Sequence, residues 1–395
     1  MLNLEIHKTD IDEIFAQGNH SHDFDTSLVL EKCKEYFDEQ CKENGSLDPR
    51  PTHIDGDSKA NLACRVYAHA ARNFLELGRI FAAYDILLYG WDLFNVIQQE
   101  KDIKIYKGII AIWIAKIYHE YLGDIGAATR WALLTHIDDY FVGHGTGEGT
   151  QGLLYSFGMN KKILDDLNKV IESNKPKTSM GWSQSNGYAD DMLVKFILEY
   201  PQYAHIFSSP TSVIEFPPCI PYLNQLWEAV KNAKSVNKKG ANLEYLVAYL
   251  FLLIPGFIPQ RNLIPEHRDS EFDLVVSNMR LSGNLEAELF GRSFLVECKN
   301  WSSKVGVADV GYFLYRMKIT HTKFGVLFAV NGITRGKKDL KHAENLRQRA
   351  FHEDDTICIV IDGQDIEHII SGETTFRSLL MEKTNALRFG KPRGH

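Results

Sequence analysis

Two short segments near residue 300 restrict the fold more than any other part of the chain. Glu271-Phe-Asp-Leu-Val-Val276 and Phe294-Leu-Val-Glu-Cys-Lys-Asn-Trp301 are rich in Val, Leu and Phe and are bounded by Ser, Gly and Asn, as strands are. Side chains alternate faces along a strand, so Glu297 and Lys299 share one face while Phe294, Val296 and Cys298 share the other. If the two strands pair, Asp273 joins Glu297 and Lys299 in one cluster. Two carboxylates and an ammonium on one sheet face suit a divalent cation and a developing negative charge. The plainer alternative is a solvated strand face with a cross-strand ion pair, an arrangement usually worth under about 1 kcal/mol. Burial of both strands would speak against it, because an unpaired buried charge is costly.

The flanking segments extend the pattern. Gly240-Ala-Asn-Leu-Glu-Tyr-Leu-Val-Ala-Tyr-Leu-Phe-Leu-Leu-Ile254 reads as a helix carrying Glu244 early, and Pro255-Gly256-Phe257 ends it and begins a strand. Residues 305–318 read as a helix and Phe324-Gly-Val-Leu-Phe-Ala-Val330 as a strand. A basic turn with Arg335, Lys337 and Lys338 leads into another helix, and Ile357-Cys-Ile-Val-Ile361 makes a last strand. The triplet Glu-x-Lys alone is weak, but Glu244, Asp273 and Glu297-x-Lys299 on helix, strand and strand, in the order αβββαβαβ, form a stronger series. That series resembles the PD-(D/E)xK nuclease superfamily, the restriction-endonuclease-like core, and within it the Mrr-like, type IV restriction branch. The resemblance covers residues 238–370, about a third of the chain. Three departures stand out. Phe272 occupies the place of the family's Pro, the stretch from Asp273 to Glu297 is long enough for an extra hairpin turn at Ser282-Gly-Asn284, and Glu271 shares the Asp273 face.

The resemblance implies metal-dependent phosphodiester hydrolysis. Asp273 and Glu297, with the backbone carbonyl of Cys298, would hold Mg2+, for which Mn2+ substitutes, and Lys299 would orient the attacking water. Glu244 would reach the metal shell through water or bind a second ion. Alternatively, Glu244 is only a first-turn acid favoured by the helix dipole, and whether it or Glu271 completes the site stays open. DNA is the implied substrate, with Lys304, Arg335, Lys337 and Lys338 contacting phosphates, which position rather than specify. Trp301 either stacks on a base or packs. A homo-oligomer and a role in restriction or antiviral defence follow by analogy. The competing readings are a non-catalytic, nuclease-like DNA-binding or assembly protein, and an RNA nuclease.

A chain of 395 residues suffices for two or three domains. An apolar fraction of 44% and a charged fraction of 24% are those of an ordinary globular protein. No secretory leader is legible at the start, and the most apolar run, Tyr245 to Ile254, is too short to span a bilayer, so no membrane partner is expected. The six cysteines, at 33, 41, 64, 219, 298 and 358, form no CxxC pair, which argues against zinc and a disulfide framework and for a reducing, cytoplasmic setting. Residues 238–395 hold 22 Lys and Arg against 19 Asp and Glu, and the part before them holds 22 against 32. Nucleic acid is therefore steered to the C-terminal part, and the acidic N-terminal part suits a protein partner.

That N-terminal part reads as all-α, with apolar residues at three- and four-residue spacing through Leu62–Trp91 and Ile105–Tyr140. Ala70–Ala83 aligns with Ala115–Ala128, each placing a Gly (Gly78, Gly123) at a turn before two small residues. This resembles a tetratricopeptide-like unit, with a plain helical bundle as the alternative. The expected architecture is thus α+β multidomain: a helical or loop segment at 1–55, an α-helical interaction domain at 56–230, and an α/β nuclease core with a mixed sheet at 238–385. Gly143-His-Gly-Thr-Gly-Glu-Gly-Thr-Gln-Gly152 lacks the Lys-Ser/Thr ending of a phosphate loop and follows a helix, so a connector is expected. Residues 173–188 read as a loop, and His20, His22 and Asp23 as a polar loop rather than metal ligands.

Overall fold

In the computed structural model, residues 59–101, 107–142, 148–174, 189–210, 212, 214–263, 272–280, 285–334 and 342–390 are described. The chain divides into two compact units, Met1–Phe196 and Ile197–His395.

The described part of the first unit is helical: α1 (Lys59–Glu76), α2 (Ile80–Lys101), α3 (Gly108–Lys116) running into a π-turn (Ile117–Tyr121), α4 (Ile125–Val142), α5 (Glu148–Ser156), α6 (Lys161–Asn174) and α7 (Ala189–Glu199), which carries the division. Three of the helical hairpins turn on a glycine in the left-handed region: Gly78 at φ +72°, Gly123 at +67° and Gly158 at +92°. Each reversal bonds a late amide back to a helix carbonyl, Arg79 to Phe74, Asp124 to Tyr118 and Met159 to Leu154, which satisfies carbonyls the helix end would otherwise orphan. Between the hairpins the core holds edge-to-face ring pairs, Tyr84 with Tyr118 and Trp91 with Trp131. Asp138 of α4 accepts from the backbone amides of Lys107 and Gly108 at 3.0 and 2.8 Å and from Lys107 Nζ at 2.8 Å, which holds the start of α3. Of the glycine run at 143–152, residues 143–147 lie outside the described residues and Glu148 opens α5. Of the loop expected at 173–188, Ser173 and Asn174 instead close α6, and residues 175–188 lie outside the described residues, as do His20, His22 and Asp23.

The second unit begins with a short 3-10 turn (Pro201–Ile206), α8 (Ile220–Asn232) and α9 (Val236–Leu252), and continues with β1 (Phe257–Leu263), β2 (Phe272–Asn278), α10 (Leu285–Phe290), β3 (Ser293–Lys299), α11 (Val307–Ile319), β4 (Phe324–Ala329), α12 (Ala343–Asp354), β5 (Ile357–Ile361), α13 (Gly363–Ile370) and α14 (Phe376–Phe389). The strands lie in sequence order, β1-β2-β3-β4-β5. β1, β2 and β3 pair antiparallel, and β3, β4 and β5 pair parallel, so β3 is where a meander becomes a crossover sheet. The αβββαβαβ order expected from the sequence is present, with α10 inserted between β2 and β3. Residues 281–284, where a hairpin turn was expected, lie outside the described residues.

Each face of the sheet is covered. On one, Phe251 of α9 meets Phe294, Phe328 and Phe376 at ring distances of 5.5, 6.2 and 5.0 Å. On the other, Leu295, Leu327 and Cys358 pack under Val310, Phe313 and Met317 of α11. Gly325 in β4 lets α11 close down, since a Cβ there would sit 2.7 Å from Met317 Sδ and 3.0 Å from Phe313 Cζ. Residues before α9 belong to this unit as well: Gly256 N–H donates to Ser208 O at 2.5 Å, and buried Arg280 donates to Ser212 O at 3.1 Å and Pro255 O at 2.9 Å. Among the described residues no helix is long and apolar enough to cross a membrane.

Candidate active site

The antiparallel register of β2 and β3 pairs Leu274 with Val296 and Val275 with Leu295. One step further sets Asp273 opposite Glu297, on the face shared with Leu295 and covered by α11. The backbone ladder is replaced there by a side chain: Asp273 Oδ2 accepts from the Cys298 amide at 2.7 Å. Burial pushes the Asp273 carboxyl up to about 6; the charges of Glu297 and Glu244 add to the rise, and the Cys298 amide and Lys299 oppose it.

Glu297 is the centre of the arrangement, 5% exposed at the end of a strand buried on both faces. Its Oε1 accepts from Lys299 Nζ at 2.8 Å and its Oε2 from Arg316 Nη1 at 2.5 Å. Burial lowers the Lys299 pKa, but the Glu297 carboxylate outweighs it and the ammonium is held above its ordinary range. The tether at the end of β3 fixes this geometry, since Asn300 Nδ2 donates to Val230 O of α8 at 2.9 Å and Lys239 O of α9 at 3.3 Å.

Arg316 was not among the residues expected from the sequence. It enters from α11, 3% exposed, with its guanidinium 4.4 Å from the Phe272 ring centre and 5.7 Å from that of Tyr312. A signal for it existed: Arg316 falls on the same helix stripe as Phe313 and Met317, and an Arg on a core-facing stripe has to meet a buried acid. Arg261 of β1 was missed too. It grips Glu244 of α9, with Nε and Nη2 at 3.1 and 2.6 Å from Oε2. Glu244 is therefore close enough to bear on Asp273, yet its carboxylate is already engaged. Three carboxylates (Glu244, Asp273, Glu297) and three cations (Arg261, Lys299, Arg316) make up the cluster.

The donor set fits a hard divalent cation. Among the described residues no group of three or more His, Cys, Asp or Glu side chains is arranged to hold a metal ion. Asp273 and Glu297 make a partial oxygen set, the kind Mg2+ accepts because it keeps several of its waters. Burial disfavours the Asp273 carboxylate, with the Glu297 and Glu244 charges adding to the effect, and a bound cation would favour the charged form again. No sulfur or imidazole donor belongs to the set.

Around the cluster, Trp301 is 40% exposed, with Lys299 Nζ 5.3 Å from its ring centre, and its carbonyl accepts from Asn331 Nδ2. Lys304 is exposed and lines an open cavity of about 330 Å³ with Asn331, Gly332, Asp362 and Gln364, beyond the carboxyl ends of β4 and β5. Arg335, Lys337, Lys338 and Glu271 lie outside the described residues. The structure thus brings Asp273, Glu297 and Lys299 together, sets Glu244, paired with Arg261, near enough for its charge to act on Asp273, and leaves Lys304 further along the edge of the sheet.

Residues 237–369, from α9 through α13, match the Mrr-type catalytic-domain family model, described as a restriction endonuclease. The match spans about a third of the chain and agrees with the stretch read from the sequence to within a residue at each end. No curated protein matches the chain, and no solved structure does.

Proposed function

We propose, taking the restriction endonuclease domain at residues 237–369 as the premise, that the chain is a metal-dependent endodeoxyribonuclease. The observation that carries this reading is Glu297, set opposite Asp273 and held between Lys299 and Arg316. Asp273 and Glu297, with the Cys298 carbonyl, would hold Mg2+ or Mn2+. Bound there, such an ion supplies charge neutralisation at the scissile phosphate and acidifies a water. Lys299, whose ammonium stays protonated, donates toward that water and toward the phosphate oxygen on which charge accumulates. Arg316 holds the Glu297 carboxylate in place from beneath, and Glu244, itself held by Arg261, acts at one remove through its charge on Asp273.

The wider reading rests on analogy with other nucleases of this type and, for the protein partner, on the acidic helical first unit. DNA is the substrate class, the helical first unit docks a protein partner, the protein works as a homo-oligomer in the cytoplasm, and restriction or antiviral defence is its setting. The decisive experiment is cleavage of plasmid and linear DNA, with RNA alongside, in Mg2+ or Mn2+, comparing wild type with Asp273→Ala and Lys299→Ala. Metal-dependent cutting lost in both variants supports the enzyme and the site. Cutting that survives both moves the site elsewhere, RNA-only cutting removes the DNA reading, and binding without any cutting favours a non-catalytic role. Light scattering that shows a strict monomer at working concentration counts against the oligomer.

A further inference from the structure

Each cation on Glu297 carries an aromatic ring on its outer side. Lys299 Nζ is 5.3 Å from the Trp301 ring centre, and the Arg316 guanidinium is 5.7 Å from that of Tyr312. Neither ring belongs to the core, as Trp301 is 40% and Tyr312 49% exposed. Tyr315, one helical step on, is 57% exposed, and Lys318 follows it, also exposed. At three-residue spacing, Tyr312, Tyr315 and Lys318 line one face of α11 over about 9 Å of its axis. The apolar stripe of α11 is a different one: Val310, Phe313 and Met317 fill the core beneath it. Large rings left in water beside a charged centre are the informative exception to burial.

Rings interleaved with cations suit one form of nucleic acid better than another. In a paired duplex each base face is covered by its neighbours, and a protein meets phosphates and groove edges. An unpaired strand offers bare base faces, which stack on aromatic side chains whatever the sequence, while its phosphates follow the cations. We propose that this site takes DNA whose bases are unpaired at the point of cleavage. Trp301 and Tyr312 stack on the bases flanking the scissile phosphate, and Tyr315 and Lys318 carry the strand away along α11. This substrate assignment rests on the nuclease reading above.

The test is fluorescence anisotropy with a labelled single-stranded DNA of about 20 nucleotides and with the same sequence as a blunt duplex. Both are measured in Ca2+, an oxygen-seeking ion with looser geometry than Mg2+. The single strand is expected to bind at least about tenfold tighter than the duplex. Trp301→Ala and Tyr312→Ala each lower single-strand affinity roughly tenfold, the Phe variants restore it, and melting temperature stays unchanged because the rings are exposed. Equal or tighter duplex binding, or alanine variants that still bind the single strand like wild type, overturns the assignment. Duplex binding together with Mg2+-dependent cutting that needs Asp273 and Lys299 overturns it while leaving the nuclease reading intact. A protein that binds neither form and cuts neither overturns both.

Discussion

Glu297 of β3 and Arg316 of α11 meet at 2.5 Å, each almost wholly withdrawn from solvent. A charged pair in such a place is a positional device more than a source of stability: desolvation consumes most of its Coulomb energy, and the loss of one partner leaves the other stranded. Replacement of Arg316 by Gln is therefore expected to destabilise the second unit by about 3 kcal/mol, near the low end for a broken buried pair because Lys299 still serves Glu297. Urea denaturation reads this directly, and a loss well under about 1 kcal/mol would show that Glu297 has reached water instead.

Asp273 gives a pH signature. Its folded carboxyl titrates at about 6 against an ordinary 3.8, so the folded state holds the proton more tightly than the unfolded chain does. Its contribution is therefore most favourable below the unfolded value and is lost as pH rises through about 6. Asp273→Asn keeps an acceptor for the Cys298 amide and removes the charge. In chelator at pH 8 the variant should be more stable than wild type by about 3 kcal/mol, with the gap closing toward pH 4. Mg2+ should stabilise wild type and leave Asp273→Asn unmoved. Denaturation curves with and without metal test both parts.

Glu244 and Lys299 should separate by magnitude. Lys299→Ala removes a donor that faces the developing charge, and turnover should fall by roughly a hundred- to a thousandfold. Glu244→Gln acts through the field at Asp273, and should cost about 10- to 100-fold. Because the Glu244 charge raises the Asp273 pKa, its removal should shift the acidic limb of the pH–rate profile to lower pH. An unshifted limb with a loss as large as that of Lys299→Ala would make Glu244 a direct ligand.

Gly325→Ala probes how closely α11 must approach. The added methyl meets Met317 Sδ at 2.7 Å and Phe313 Cζ at 3.0 Å. Overpacking of this kind costs about 1–3 kcal/mol, with the flexible Met end favouring the lower part of that range. Activity should fall along with stability, since α11 carries Arg316. A variant with wild-type melting and wild-type cutting would show that α11 has room to spare.

How much of this was legible beforehand depends on where each contact lies along the chain. Asp273, Glu297 and Lys299 were readable because strand alternation places side chains by local counting, and β2 and β3 pair in register. The order of strands and crossover helices was readable for the same reason, from apolar runs punctuated by Gly, Pro and Asn. Arg261 and Arg316 were not, because their partners lie 17 and 19 residues away on other elements and no spacing rule joins them. Helix α10 was missed because six residues, Leu285–Phe290, carry too little periodicity to register. The third helical hairpin, at Gly158, lacks the Ala-Ala pair that marked the first two. Trp301 was left between stacking and packing, since only exposure decides that and exposure is a property of the folded surface.

The cluster's three built-in cations have a last consequence. A centre that brings its own counter-ions needs no metal to fold, so chelation should leave the domain intact and able to engage DNA without cutting it. Under the proposed function, recognition and scission would then be separate events, the first available at any time and the second admitted only when the divalent ion arrives.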